Sequence, residues 1–417
     1  MFRFQEGIIL NYKVIEGSVT AAKGFKAAGI HCGIRKNKSK RDLGLIFCET
    51  KCTAAAVYTT NLVQSSPITI CKKNLANGYA QAVIANSGNA NTCNADGEIK
   101  AWKMCELAAN ELGIEAEDVI VASTGVIGQR LPIEPIEQAI TPLVKELTDD
   151  LQGASDCAEA IMTTDTIKKE FAIETSIGGK TIRIGGISKG SGMIHPNMAT
   201  MLCFVTTDAA ISSEMIQKAV KHAADKSFNM ISIDGDTSTN DMLSVMASGL
   251  AGNDEIMTEG QELNEFTEAL TTVCRELSRM MAKDGEGATK LLVCKVSGAK
   301  TENDAKGIAK SVICSSLLKA AMFGADANWG RVLCAIGYSG CDVDVHKVNV
   351  SFSSAAGRID VCKNGAGIDF SEELAKEILV LDEIDIIVEL GDGDSCAEAY
   401  GCDLTYEYVR INGDYRT

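Results

Sequence analysis

Proline is scarce in this 417-residue chain, at five residues, and no Pro- or Ser-rich stretch marks a linker, so composition draws no border between domains. None of the 16 cysteines forms a CxxC pair. Several sit inside apolar runs such as Leu202-Cys203-Phe204 and Val332-Leu333-Cys334, which suits small, reduced, buried side chains and not a disulfide scaffold. Cys48 and Cys52 are close in sequence but have no second pair or histidine placed to complete a zinc site, and no metal is expected. Positive charge is also short: 40 Lys and Arg against 56 Asp and Glu give a net charge of −16, which repels phosphate backbones and anionic membrane surfaces. Nucleic acid and membrane are excluded as expected partners. A local cluster, Arg35, Lys36, Lys38, Lys40 and Arg41, reads as a solvated loop. The N-terminal stretch has acidic and polar residues where a signal peptide needs an apolar core, and no run approaches the roughly 20 apolar residues of a membrane span. A cytoplasmic location is expected.

What remains is a globular composition, 46% apolar and 23% charged, in a chain longer than one core usually serves. No repeat of 20–50 residues is apparent. Short apolar runs at Leu43 to Phe47, Ala54 to Tyr58 and Ala82 to Ala85 predict strands, as do Lys290 to Val296, Lys347 to Phe352 and Ile384 to Leu390. Three- and four-residue apolar spacing predicts helices over Ile99 to Leu112, Ile133 to Leu147, Ser212 to Lys226 and Gly260 to Lys283, with Pro142 able to kink or split the second. The class is mixed α/β. The softest border lies at Asp284-Gly285-Glu286-Gly287, where a long helix gives way to a strand. It divides the chain into a main domain, 1–285, and a smaller α/β domain, 286–395.

The least ordinary segment is Gly185-Gly186-Ile187-Ser188-Lys189-Gly190-Ser191-Gly192, which leads through Met193-Ile194-His195-Pro196-Asn197-Met198-Ala199 to Thr200 and the apolar run Met201 to Val205. Glycine-rich backbone delivers a small residue and then a hydroxyl to the start of a buried strand. That pattern suits autoproteolysis: the Thr hydroxyl attacks the preceding carbonyl, the peptide becomes an ester, and water cleaves it. The new terminal amine, with a reference pKa of about 7.7–8.0, can then act as base to its own hydroxyl. A plain Gly-rich loop before a core strand explains the same residues. A phosphate loop does not, since Glu174 stands where a Walker motif ending at Gly179-Lys180-Thr181 needs its first Gly.

The segment Met193 to Leu202 resembles the cleavage and nucleophile region of the ornithine acetyltransferase family, also called bifunctional glutamate N-acetyltransferase. The likeness continues, in order, through Val19 to Phe25, Ala85 to Asn91, Ser123 to Gly128, Met162 to Thr166, Ser232 to Asp241 and Ile411 to Thr417. Gly413 departs from the Ala expected there. The resemblance implies a layered αββα-type sandwich with a second, smaller α/β domain, the tail 396–417 returning to the site. It implies scission between Ala199 and Thr200, giving α and β chains that assemble as α2β2, and an acetyl-Thr200 intermediate carrying the acetyl group from N-acetylornithine to glutamate in arginine biosynthesis. By the same resemblance Thr124 and Gly125 stabilise the oxyanion, and Thr163, Lys189, Thr200, Glu286, Asn412 and Thr417 bind substrate. Charge suggests Lys189 for a carboxylate and Glu286 for the ornithine ammonium. No bound cofactor is expected, and acetyl-CoA as a second donor stays open. The Asp-rich Asp234 to Asp241 lacks a twelfth-place Glu, having Val245 there, and reads as a supporting loop, not a calcium site. His195 is read as positioning the cleavage loop. The rival readings are an N-terminal-nucleophile amidase or aminopeptidase, and a non-catalytic binding protein that stays intact at 44.2 kDa.

Overall fold

The computed structural model describes residues 11–195 and 201–413. Its strands, in chain order, are β1 (Tyr12–Val14), β2 (Phe25–Ile30), β3 (Leu43–Tyr58), β4 (Tyr79–Asn86), β5 (Val119–Ser123), β6 (Lys169–Ile177), β7 (Lys180–Lys189), β8 (Leu202–Thr207), β9 (Ile231–Ser232), β10 (Met242–Ala247), β11 (Leu291–Ala299), β12 (Asn349–Ser354), β13 (Gly357–Lys363), β14 (Ala366–Gly367), β15 (Glu383–Glu389) and β16 (Ser395–Cys402). They form two sheets in two compact units. The larger unit holds described residues 11–229 and 236–277, the smaller 230–235 and 278–413.

The larger unit's nine-stranded sheet runs β1-β6-β7-β8-β10-β3-β4-β5, with β2 also on β3. Its organising element is β3. The sequence predicts two strands here because the polar Glu49-Thr50-Lys51 interrupts the apolar pattern; the structure makes one strand of 16 residues whose register against β4 slips between Phe47 and Cys52. The first half pairs with β2 and the second with β10. Strands on the two sides of the slip then meet. Lys189, ending β7, reaches Thr124 just after β5, and Asn240, just before β10, donates through Nδ2 to Ser123 O at 2.7 Å.

One contiguous core fills the space. Leu43, Leu45, Ile84 and Val121 share it with Met104, Ile136 and Leu143 of the helices Gly97–Leu112 and Glu134–Lys145, and with Ile187, Leu202, Phe204 and Met242 of the facing strands. Period-2 alternation turns the other face of β7 and β8 outward: a Cβ on Gly186 would meet Val205 at 3.0 Å and Leu277 of the helix Gln261–Lys283 at 3.1 Å. Helix, sheet, sheet, helix is the layered arrangement that the resemblance implies. Pro142 sits in the last turn of Glu134–Lys145 and does not split it.

The smaller unit's seven-stranded sheet runs β14-β13-β12-β15-β11-β16-β9. Here β11 pairs parallel with β15 and antiparallel with β16, and the helix Glu302–Cys314 lays Ala305, Ile308 and Val312 on the core. The two units divide at Ser278, inside Gln261–Lys283. The helical stripe continues across that point, so periodicity carries no mark of it. Ser395–Cys402 forms β16, hydrogen-bonded along β11, and Ile231–Ser232 joins the same sheet from far upstream.

All 16 cysteines are free, and burial pushes the Cys71 and Cys157 thiols up to about 12, which keeps them protonated and inert. No described helix is long and apolar enough to cross a membrane.

Close backbone approach fixes two glycines. A Cβ on Gly185 of β7 would lie 1.9 Å from Ser18 O, and one on Gly29 of β2 would lie 2.0 Å from Asp156 O. Gly185→Ala is expected to destabilise by about 3 kcal/mol, since backbone atoms cannot step aside as a side chain can; thermal melting beside Gly337→Ala, whose Cβ meets nothing within 4 Å and whose φ is not left-handed, checks it.

Candidate active site

In the larger unit, strand ends bring together Thr124, Gly125, Thr163 and Lys189. Thr124 follows β5, is 5% exposed, and receives a hydrogen bond from Lys189 Nζ at 3.3 Å. An ammonium can only donate, so the Thr124 hydroxyl accepts from it and keeps its own proton for another acceptor. Gly125 has φ +133°, and a Cβ there would lie 2.4 Å from Gly88 C, so both conformation and space require glycine. Its N–H makes no hydrogen bond among the described residues. A hydroxyl proton and a backbone N–H on adjacent residues are the two donors an oxyanion needs.

A buried carboxylate orders the other side. Asp165 accepts from Lys169 Nζ at 2.6 Å, Gly190 N at 2.6 Å and Thr163 N at 2.9 Å. It thereby joins the turn carrying Thr163 to the residue after Lys189. Burial alone would raise its pKa, but the Lys169 and Lys189 charges and the hydrogen bonds from Lys169 and the Thr163 amide outweigh burial and hold the carboxyl well below the usual range. Thr163 O in turn accepts from Arg35 Nη2 at 2.9 Å. The basic cluster is therefore divided: Arg35 and Arg41 are structural, the latter paired with Asp156 and Glu159, while Lys36, Lys38 and Lys40 are exposed as a solvated loop would have them.

The Asp-rich loop acts as scaffold. Asn240 Nδ2 also reaches Ala90 O at 2.7 Å, Thr237 donates to His195 O at 2.9 Å, and Asp241 Oδ1 accepts from Met201 N at 2.7 Å. Asp241 is fully buried, and burial pushes its carboxyl well above the usual range against the pull of the Met201 N–H and the Lys189 charge. No group of three or more His, Cys, Asp or Glu among the described residues is arranged to hold a metal.

In the smaller unit, Glu286 is 8% exposed and accepts from Asn412 Nδ2 at 2.7 Å, so these two expected site residues are partners. Ala199, Thr200 and Thr417 lie outside the described residues. Sequence reading gave Asp165 no role, took Asn240 and Asp241 only as part of a supporting loop, and took Arg35 as part of a solvated one. Asp165 and Asp241 each stand inside a quoted motif, yet only burial and partners show what they hold.

Asp165→Asn should destabilise the fold by about 3–5 kcal/mol, because Lys169 would stay buried without its countercharge. The sign of the pH dependence follows from the depressed carboxyl: its contribution is complete above the unfolded value of 3.8 and disappears as pH falls below it. Denaturant titrations at neutral and acid pH check both, with the wild-type advantage over Asp165→Asn shrinking as pH falls.

Comparison with known proteins adds the following. Residues 26–417 match the ArgJ family. An arginine biosynthesis bifunctional protein ArgJ from Caldanaerobacter subterraneus subsp. tengcongensis is 48% identical over 406 residues, 97% of this chain and 100% of that protein. The protein of the same name from Bacillus subtilis is 48% identical over 405 residues, 97% of each. A crystal structure of arginine biosynthesis bifunctional protein argJ from Bacillus halodurans is 46% identical and covers 51% of this chain and 98% of its own, with a TM-score of 0.49. Similarity of this extent, running over nearly the whole chain and through both units, makes the chain a member of the ArgJ family.

Proposed function

We propose that the chain is an acetyltransferase of arginine biosynthesis, acting through an acetyl ester on Thr200. Family membership supports the pathway, and the paired donors at Thr124 and Gly125, with Lys189 behind them, support the chemistry.

In the first step the chain matures itself. Thr200 Oγ attacks the Ala199 carbonyl carbon, the C–N bond breaks as the nitrogen takes a proton, and water hydrolyses the resulting ester. Residues 1–199 end in a carboxylate and residues 200–417 begin with a free amine. That amine then takes the proton of its own hydroxyl as Thr200 Oγ attacks the acetyl carbonyl of N-acetylornithine. Negative charge on the carbonyl oxygen falls to the Thr124 hydroxyl and the Gly125 N–H, and Lys189, donating to Thr124 Oγ, polarises that hydroxyl further. Ornithine leaves with the proton. The glutamate amine attacks the ester in the reverse sense, and N-acetylglutamate departs.

Thr163 and Lys189 are the proposed contacts for the amino-acid backbone, Lys189 taking a carboxylate. Glu286 with Asn412, and Thr417, are proposed from the resemblance, Glu286 for the ornithine ammonium. Acetyl-CoA as a second donor is supported by the word bifunctional in the relatives' names. The α2β2 assembly rests on the resemblance alone.

Intact mass after denaturation should give two chains in place of one of 44.2 kDa, and N-acetylornithine should leave residues 200–417 one acetyl group heavier. Thr200→Ala should stay uncut and lose activity by about 1,000-fold or more. Release of acetate in place of N-acetylglutamate would reassign the protein to hydrolysis. Glu286→Gln should raise KM for N-acetylornithine by tenfold or more, on the order of one charge-assisted hydrogen bond, while changing KM for glutamate less; equal effects on both would remove Glu286 from ornithine recognition.

A further inference from the structure

Arg35 takes no part in the mechanism above, yet its side chain ends at a residue of the candidate site. The turn 32–35 that carries it is fixed by Asp42, whose buried carboxylate accepts from Cys32 N at 2.5 Å, Gly33 N at 3.2 Å and Arg35 N at 2.8 Å. Those three bonds already anchor the backbone of the turn. The guanidinium serves another element: Nη2 donates to Thr163 O at 2.9 Å, 128 residues further along the chain. Asp42 also accepts from Ser87 N through its own carbonyl oxygen at 3.0 Å, which brings Gly88 beneath the Arg35 stem. A Cβ on Gly88 would lie 2.8 Å from Arg35 Cγ and 3.2 Å from Ile34 Cγ2. Gly88 in turn backs Gly125, whose added Cβ would meet Gly88 C at 2.4 Å. The methylenes of Arg35 are therefore stacked on the loop behind the oxyanion donors, and its head is bonded to the turn that holds Thr163.

Thr163 is gripped at both of its backbone groups by opposite charges. Its N–H donates to the Asp165 carboxylate at 2.9 Å, and its carbonyl accepts from Arg35. Charge-assisted bonds are short and directional, so the peptides on either side of Thr163 are fixed and only the side-chain torsion remains to it. Its hydroxyl makes no hydrogen bond among the described residues. We propose that Arg35 is a positioning residue for substrate: braced on Gly88, it holds the Thr163 carbonyl and so sets the separation between the Thr163 hydroxyl and the donors at Thr124 and Gly125. That separation decides where the amino-acid part of a substrate sits relative to its reacting carbonyl. This rests on the reading of Thr163 as a substrate contact. Asp165 grips the same residue, but its loss would strand Lys169 and weaken the fold. Arg35 is half-buried, and Asp42 keeps its turn in place without the guanidinium.

The experiment measures KM and kcat for N-acetylornithine and glutamate, with melting temperature, in the full chain as wild type, Arg35→Met, Arg35→Lys, Thr163→Ala, and Arg35→Met combined with Thr163→Ala. Met keeps the stem over Gly88 and removes the donor. Lys keeps the stem and returns one charged donor, which suffices for a single carbonyl acceptor that does not need the bidentate fork. Arg35→Met should raise KM for both amino acids about five- to tenfold, on the order of one charge-assisted hydrogen bond, with kcat within about threefold and melting within about 2 °C of wild type. Arg35→Lys should bring both KM values back to within about twofold. On top of Thr163→Ala, Arg35→Met should add less than about twofold, because the hydroxyl that it places is gone. A merely structural residue would lower melting temperature and the active fraction, and with it kcat, and leave KM where it was. That outcome, unchanged kinetics, or an undiminished effect on top of Thr163→Ala overturns the proposal. Arg35→Gln, two atoms too short for Thr163 O, gives the same readings should the Met variant not accumulate as folded protein. If Thr163→Ala alone leaves both KM values at wild type, it is the reading of Thr163 that fails, and the role of Arg35 falls with it.

Discussion

The long strand β3 is where the larger unit acquires its shape. A pleated strand of 16 residues paired evenly on both edges would make an open, twisted sheet with its ends far apart. The slip between Phe47 and Cys52 instead lets the first half serve β2 and β4 and the second serve β10, and the sheet closes over one apolar core. The candidate site of this unit lies where strands on the two sides of the slip meet. Thr124 arrives on β5, Lys189 on β7, Met201 at the mouth of β8 and Asp241 at that of β10. Each is held by a strand whose other residues are locked in the core, which is how a site gains sub-ångström order without rigid loops.

Charge is arranged with equal economy in this small volume. Lys189 and Lys169 are buried ammonium groups, at 3% and 0% exposure, and Asp165 is the carboxylate between them. The Asp165 carboxyl is shifted down and the Asp241 carboxyl up, although both are buried, because Asp165 has Lys169 in contact and receives two backbone N–H groups, whereas Asp241 has one N–H and a more remote cation.

Much of this was legible in the residues. Apolar spacing placed the helices Ser213–Lys226 and Gln261–Lys283 and the strands β4, β11, β12 and β15, since each is long enough for its period to show. Strand β3 was read as two because its bend carries Glu49 and Lys51, and solvent-facing charges in mid-strand look the same as a turn. The border at Ser278 was invisible because the helix crossing it has an unbroken apolar stripe, and β16 escaped because its pairing with β11 joins residues about a hundred positions apart. At the candidate site, Thr124, Gly125, Thr163 and Lys189 were named through the family resemblance. Asp165 and Asp241 stood in the same motifs but looked like loop acids, which are common and usually solvated. Only tertiary structure shows that neither touches water.

The place of β8 bears on what the proposed scission ahead of it would leave behind. β8 is an interior strand, hydrogen-bonded to β7 from the upstream piece on one edge and to β10 from the downstream piece on the other, while β10 is itself zipped to β3. Under the proposed scission the two polypeptides would be interleaved within a single sheet and share one oily interior. They could not drift apart by simple dissociation; separating them would mean melting the whole unit. Without the tether they would find each other again only by collision, so unfolding that is unimolecular on the way out would become second order on the way back. An enzyme matured in the proposed way would thus be a one-way product of its own biosynthesis, its lifetime tied to how slowly that sheet opens.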